Sequence, residues 1–277
     1  MHSPLARRTA TATTVALLLL AGSVAPAVAD AADAGPRAIA ASAARDARIL
    51  DITSTDKAMT APATATPGPT TFRSTTTHEG SGWVGLARIG DGGALTYLGG
   101  AVVHPGRPGL FTQTLEPGQY LLFDYLHTLE GAQPREQRLT VSGSASGRAV
   151  RPSATIVSHD TGAGPRFEVR GTLRADRPFR FVNTLAGQYN EAVLFPLDKD
   201  VTRAELQEFF DALNDGASPT PPFDTSVGLG CLPLSPGRSA DIQVPLGKGR
   251  HVLVTWVRDA SGKLLAQQGQ FEIVEVR

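Results

Sequence analysis

The chain has one cysteine, two methionines, two tryptophans and no net charge, with 26 Lys and Arg set against 26 Asp and Glu. A single thiol excludes an intramolecular disulfide and any site built on several thiolates. Zero net charge excludes the cationic surface that phosphate-backbone recognition needs, so no nucleic acid is expected as partner. After residue 30 no apolar run approaches the ~20 residues of a membrane span. What is abundant is glycine and proline, 29 and 20 of 277 residues. That composition excludes a long-helix or coiled-coil protein and points to short strands punctuated by turns.

The first residues read as an address. Arg7-Arg8 form a positive stretch, Val15 to Leu20 an apolar core, and Ala27-Val28-Ala29 a small-residue cleavage site. This is the pattern of a secretory signal peptide over residues 1–29, so a secreted, extracytoplasmic protein is expected. The arginine pair also occurs in twin-arginine leaders, but only small and polar residues follow it here. Residues 30–47 are Ala-rich with mixed charges and no helix cap, and are expected to form a mobile arm.

The remainder repeats itself. Pro105 to Leu126 aligns with Pro236 to Val257 without a gap at an offset of 131, both reading as a Pro-Gly-Arg turn, a strand, a Gly-containing turn and an apolar strand. Upstream, Phe72 aligns with Phe179 at an offset of 107, so the second copy carries an insertion of 24 residues. Within it, Thr202-Arg203-Ala204-Glu205 is a capping box, followed by Leu206, Phe209, Phe210 and Leu213 on one helical face and a stop at Gly216. A helix over about 202–214, packed on a sheet, is expected. The Ser/Gly/Arg/Pro stretch 143–152 reads as a linker between a first copy, 48–142, and a second, 153–277. Thr53 to Thr77 holds ten threonines, read as strands with an exposed Thr face rather than a glycosylated stretch.

Three stretches of the second copy carry a family likeness. Phe179-Arg180-Phe181-Val182-Asn183, Gly249-Arg250-His251-Val252-Leu253-Val254-Thr255 and Gly269-Gln270-Phe271-Glu272-Ile273-Val274 resemble strands of the cupredoxin-like fold, the sandwich of small blue-copper proteins. The likeness covers most of 153–277 and, more faintly, 49–142. It implies an all-β protein of two tandem Greek-key cupredoxin-like β-sandwiches. It also implies where copper would sit, and there the sequence departs from the family. The thiolate position holds Thr255 in the second copy and Asp124 in the first, the first-histidine position holds Asn190, and the methionine position holds Gln270. Type-1 copper requires a thiolate and two imidazoles, so the resemblance implies a copper site lost from both copies.

No catalytic residues and no cofactor are expected. Ser158-His159-Asp160 lacks a nucleophile elbow, and the acids from Asp198 to Asp211 sit around a helix start, which favours acids on its own account. A hydrolase is the remotest reading. His78, Asp124 and His127 are the weak metal candidates, a Cu or Zn site without sulfur at the end of the first sandwich; His104 is a turn residue with no assigned role. The expected function is a secreted, non-catalytic interaction or ligand-binding module at the cell envelope, its partner a protein or small ligand. The loops 77–83, 126–134, 184–190 and 258–268 are its expected surface, and metal handling is the alternative.

Overall fold

A computed structural model describes residues 48–125 and 135–277. The expected leader and arm, and His127 with the rest of loop 126–134, lie outside the described residues.

In the first half the strands are β1 Arg48–Ser54, β2 Met59–Thr60, β3 Thr64–Ala65, β4 Gly68–Thr76, β5 Gly82–Ile89, β6 Leu95–Val103, β7 Gly109–Leu115, β8 Gly118–Asp124 and β9 Arg135–Val141. In the second they are β10 Ala154–Asp160, β11 Pro165–Gly171, β12 Phe179–Asn183, β13 Asn190–Pro196, β14 Leu229–Leu234, β15 Ser239–Gln243, β16 Gly249–Val254 and β17 Phe271–Val276. Helix α1, Arg203–Asn214, interrupts them after β13. Residues 142–153 form no regular element.

The strands make two sheets facing one another. One runs β11-β10-β12-β15-β7-β4-β1-β2 and the other β17-β16-β13-β14-β6-β5-β8-β9-β3. Alternation decides what lies between them. Phe72, Phe111, Phe179, Phe181 and Ile242 of the first sheet point inward onto Leu86, Leu122, Leu194 and Leu253 of the second, in one continuous core. Both sheets run through from one half of the chain to the other. In the first, β15 pairs with β7 (Ile242 opposite Phe111), and in the second, β14 pairs with β6 (Cys231 opposite Ala101). Gln113 crosses the same seam, its Nε2 donating to Leu98 O and, at 2.8 Å, to Ser239 O.

Helix α1 forms where its sequence pattern places it. Thr202 Oγ1 accepts from Glu205 N–H and Glu205 returns a bond to Thr202 N–H, the reciprocal capping box. Its apolar stripe, Leu206, Phe209 and Phe210, covers the outer face of the second sheet, where Val193, Phe195, Val252, Val254 and Phe271 point away from the core between the sheets. This explains the unbroken apolar runs of β13 and β16: both faces of these strands are buried. The threonine-rich stretch follows the sequence expectation at Thr60 of β2 and Thr64 of β3, which are exposed, and departs from it on β4. Thr70, Thr71 and Thr76 are buried, and Thr71 exchanges a hydroxyl bond of 2.8 Å with Thr112 across the β4–β7 pair. These strands are central rather than edge strands, so their neighbours cover the small side chains.

Candidate functional site

At one end of the first half, β1 finishes at Ser54, β8 at Asp124, and β5 opens with Gly82-Trp83. Asp124 is buried. Its Oδ2 accepts the Ser54 hydroxyl, and its Oδ1 accepts the Trp83 main-chain N–H at 3.2 Å. Ser54 belongs to the opposite sheet, so the pair pins the two sheets together. His78 sits at the same end, one residue beyond Thr77, whose N–H donates to Ser54 O. His78 Nδ1 accepts the Gly80 N–H at 3.2 Å, and its Nε2 lies 3.9 Å from Asp56 Oδ1. Of the three metal candidates, His78 and Asp124 are thus brought to one end but held by different neighbours. His127 lies outside the described residues.

The corresponding end of the second half has the same plan with different chemistry. Ser158 Oγ accepts Asn190 Nδ2–H at 2.5 Å and Gln270 Nε2–H at 2.7 Å. All three residues are fully buried, and Ser158 reaches them from the opposite sheet. Gln270 Oε1 is buried with no hydrogen-bond partner among the described residues. Asn183 organises the adjoining loop, donating to Gln188 O (2.8 Å) and Leu234 O (3.0 Å) and accepting Leu185 N–H (3.1 Å). Thr255 is buried and its Oγ1 accepts Val257 N–H at 3.2 Å.

Beside this knot lies a buried acid. Glu191 Oε1 accepts the Trp256 N–H at 2.8 Å. Burial pushes its carboxyl up to about 7, and that one hydrogen bond offsets only part of the shift. At each end a buried acid receives a tryptophan main-chain N–H, Asp124 on β8 from Trp83 of β5 and Glu191 on β13 from Trp256 just beyond β16. Cys231, on β14, is buried and unpaired. Burial raises its thiol well above the ordinary range, which keeps it protonated and unreactive.

The donor set does not fit the copper that the resemblance implies. At the thiolate positions stand a hydroxyl, Thr255, and a carboxylate already engaged, Asp124. At the histidine and methionine positions stand neutral carboxamides whose N–H groups are donated to Ser158. Soft sulfur ligation and imidazole ligation are both missing from these positions. Among the described residues no three of His, Cys, Asp and Glu converge into a metal-binding group.

Ser54 was not singled out in the sequence and Ser158 was weighed only as part of Ser158-His159-Asp160, yet the two carried a shared signal. Ile52-Thr53-Ser54 and Ile156-Val157-Ser158 are the same Ile-x-Ser ending on equivalent strands, a polar residue where alternation calls for an inward apolar one. Glu191 gave none, because a glutamate at a strand start reads as exposed.

Loop 184–190 carries Tyr189, the one exposed large apolar side chain among the described residues, at 37%. It meets Tyr97 edge-on at 5.4 Å, and Tyr97, Phe123 and Tyr125 continue the aromatic cluster. The cluster straddles the seam, where Tyr97 N–H donates to Ser235 Oγ at 2.8 Å. Burial and the Tyr97 hydroxyl hold the Tyr125 phenol far above its ordinary range, so it stays neutral.

No protein-family model and no curated protein matches the chain. Among solved structures it is similar to auracyanin B, at 16% identity over 47% of this chain and 92% of that one, with a TM-score of 0.29. Dithionite-reduced auracyanin from Roseiflexus castenholzii matches at 18% over 44% and 94%, TM-score 0.28. A copper-containing nitrite reductase from Thermus scotoductus matches at 14% over 83% and 61%, TM-score 0.25. The all-β architecture of two facing sheets stands on this chain's own strand pairing.

Proposed function

We propose that the chain is a secreted, non-catalytic protein of two cupredoxin-like copies that have exchanged copper for internal hydrogen bonds, and that it works as an interaction or ligand-binding module at the cell envelope. One observation carries this reading: the residues at the copper-type positions are consumed in pins between the sheets, Ser54–Asp124 in one copy and Ser158–Asn190–Gln270 in the other. Groups held this way stabilise a sandwich end and leave no open ligand set. The relation between the copies is supported by the seam. Ile242, which the offset of 131 aligns with Phe111, is the residue paired with Phe111, so the two copies meet about a local two-fold axis. Secretion rests on the leader-like pattern of residues 1–29 alone.

The proposed contact surface is the loop end, with Tyr189 as its anchor. An exposed aromatic beside buried ones offers apolar area at little cost in side-chain entropy. The test is a Cu(II) and Zn(II) titration of the purified protein, with metal content read after dialysis, and a capture experiment on envelope material with the wild type and Tyr189→Ala. Expected are no retained stoichiometric metal, and a partner held by the wild type and lost by Tyr189→Ala. Retention of one metal per chain, abolished by His78→Ala, would replace this reading with metal handling.

A further inference from the structure

His104 lies in the turn after β6, closed by its own main chain: Arg107 N–H donates to His104 O at 2.9 Å. Its ring spans two separate parts of the molecule. Nδ1 lies 3.0 Å from the carbonyl oxygen of Gly80, in the loop between β4 and β5. Nε2 lies 2.8 Å from the carbonyl oxygen of Gly228, immediately before β14. Both partners are obligate acceptors. A neutral imidazole carries a single N–H and satisfies one of them, leaving a ring lone pair facing the other; an imidazolium donates to both.

Neither carbonyl is placed by chance. A Cβ on Gly228 would lie 2.3 Å from the Phe195 ring, so the chain there is pressed against the core. Gly80 is tied back to the loop through its N–H bond to His78 Nδ1. The ring therefore joins the 77–83 loop of the first half to the start of β14 in the second. The ionisable residues on the segments that meet it are His78 and Glu79 on the loop, Arg107 on its own turn and Asp224 ahead of Gly228. Arg107 reaches away, donating to Pro245 O at 2.9 Å, and Asp224 Oδ1 is taken up by Ser226 at 2.9 Å from its N–H.

We infer that His104 is a proton-dependent clasp: as the imidazolium it fastens the 77–83 loop to the second half, and loss of the proton frees one of the two contacts. The inference is independent of whether the loop end binds a partner. It assigns a role to a residue that the sequence left as a plain turn histidine, and it makes the loop's order depend on whether the ring carries one proton or two.

The ring itself is the first readout. Nitrogen NMR of the wild-type protein is expected to show both His104 nitrogens protonated at pH 6 and one of them without a proton at pH 8.5. Amide hydrogen exchange at residues 79–82, corrected for the intrinsic pH dependence, is expected to be about tenfold slower at pH 6 than at pH 8.5. His104→Asn offers one donor group and should exchange fast at both pH values. His104→Arg, always charged and able to donate to two carbonyls, should exchange slowly at both. A His104 ring with a single N–H at pH 6 would overturn the inference, as would a pH-dependent protection that survives in His104→Asn. The ring measurement decides the matter if either variant fails to fold.

Discussion

Glu191 and Asp124 are chemically similar residues in similar places, and their surroundings separate them. Asp124 accepts a hydroxyl and a main-chain N–H, whereas Glu191 accepts the Trp256 N–H. With the folded-state value raised to about 7 and an ordinary carboxylate value near 4.3 in the unfolded chain, the folded state holds a proton that the unfolded chain has released. Stability is therefore greatest below about pH 4 on this account, falls as pH rises towards 7, and carries the full penalty above it. That penalty is about 3 kcal/mol. Glu191→Gln, which keeps the shape and the acceptor for Trp256 N–H, is expected to raise stability at pH 8 by up to about that amount. At pH 4 it should do little; urea unfolding at the two pH values checks this. Ser158→Ala makes the opposite case. It takes the acceptor from the buried Asn190 amide and the shorter of two bonds from Gln270, whose Nε2 keeps Arg166 O at 3.3 Å, and an unmet buried donor costs about 1–3 kcal/mol. A fall of about 2 kcal/mol or more in unfolding free energy, with unchanged far-UV circular dichroism, is expected.

At the scale of the element, helix α1 was fully legible. A capping box followed by an i, i+3, i+4 apolar stripe is local information, and the helix begins and ends where that pattern does. Thr202→Ala removes the hydroxyl half of the box, leaving the residue's main-chain N–H on Glu205, and is expected to cost about 1 kcal/mol in thermal unfolding. Phe210→Ala is expected to cost more, about 3–5 kcal/mol, because Phe210 is fully buried between Trp256 and Phe271. The long strands were legible too, from their alternation and the turns that bound them. The two-residue strands β2 and β3 were not, since they exist only where the chain drifts past an edge it can pair with. The fate of the threonines was also hidden, because whether a Thr face is exposed depends on which strands stand beside it.

At the scale of the molecule, the sequence alignment of the two halves suggests two bodies joined by a linker, yet both sheets run on across the seam. Two ladders, β15–β7 and β14–β6, and the Gln113 bonds join the halves, and the buried cluster includes residues of both. Opening one half would strip a sheet edge and a core surface from the other. Calorimetry is therefore expected to show one cooperative transition with calorimetric and van't Hoff enthalpies equal; two resolved transitions would mean that the seam is weak.

Composition and local periodicity alone establish the all-β character and the helix, and residue chemistry alone shows that the positions matched to copper ligands hold neither thiolate nor imidazole. Only the tertiary structure decided what those positions do instead. Ser54 with Asp124, Ser158 with Asn190 and Gln270, and His104 with two distant carbonyls are contacts between residues at least 24 positions apart in the chain. A serine, an amide or a turn histidine looks the same in sequence whether it faces water or a partner. Strand pairing brings the partner there, and the cost of leaving a buried polar group unmet makes the contact matter.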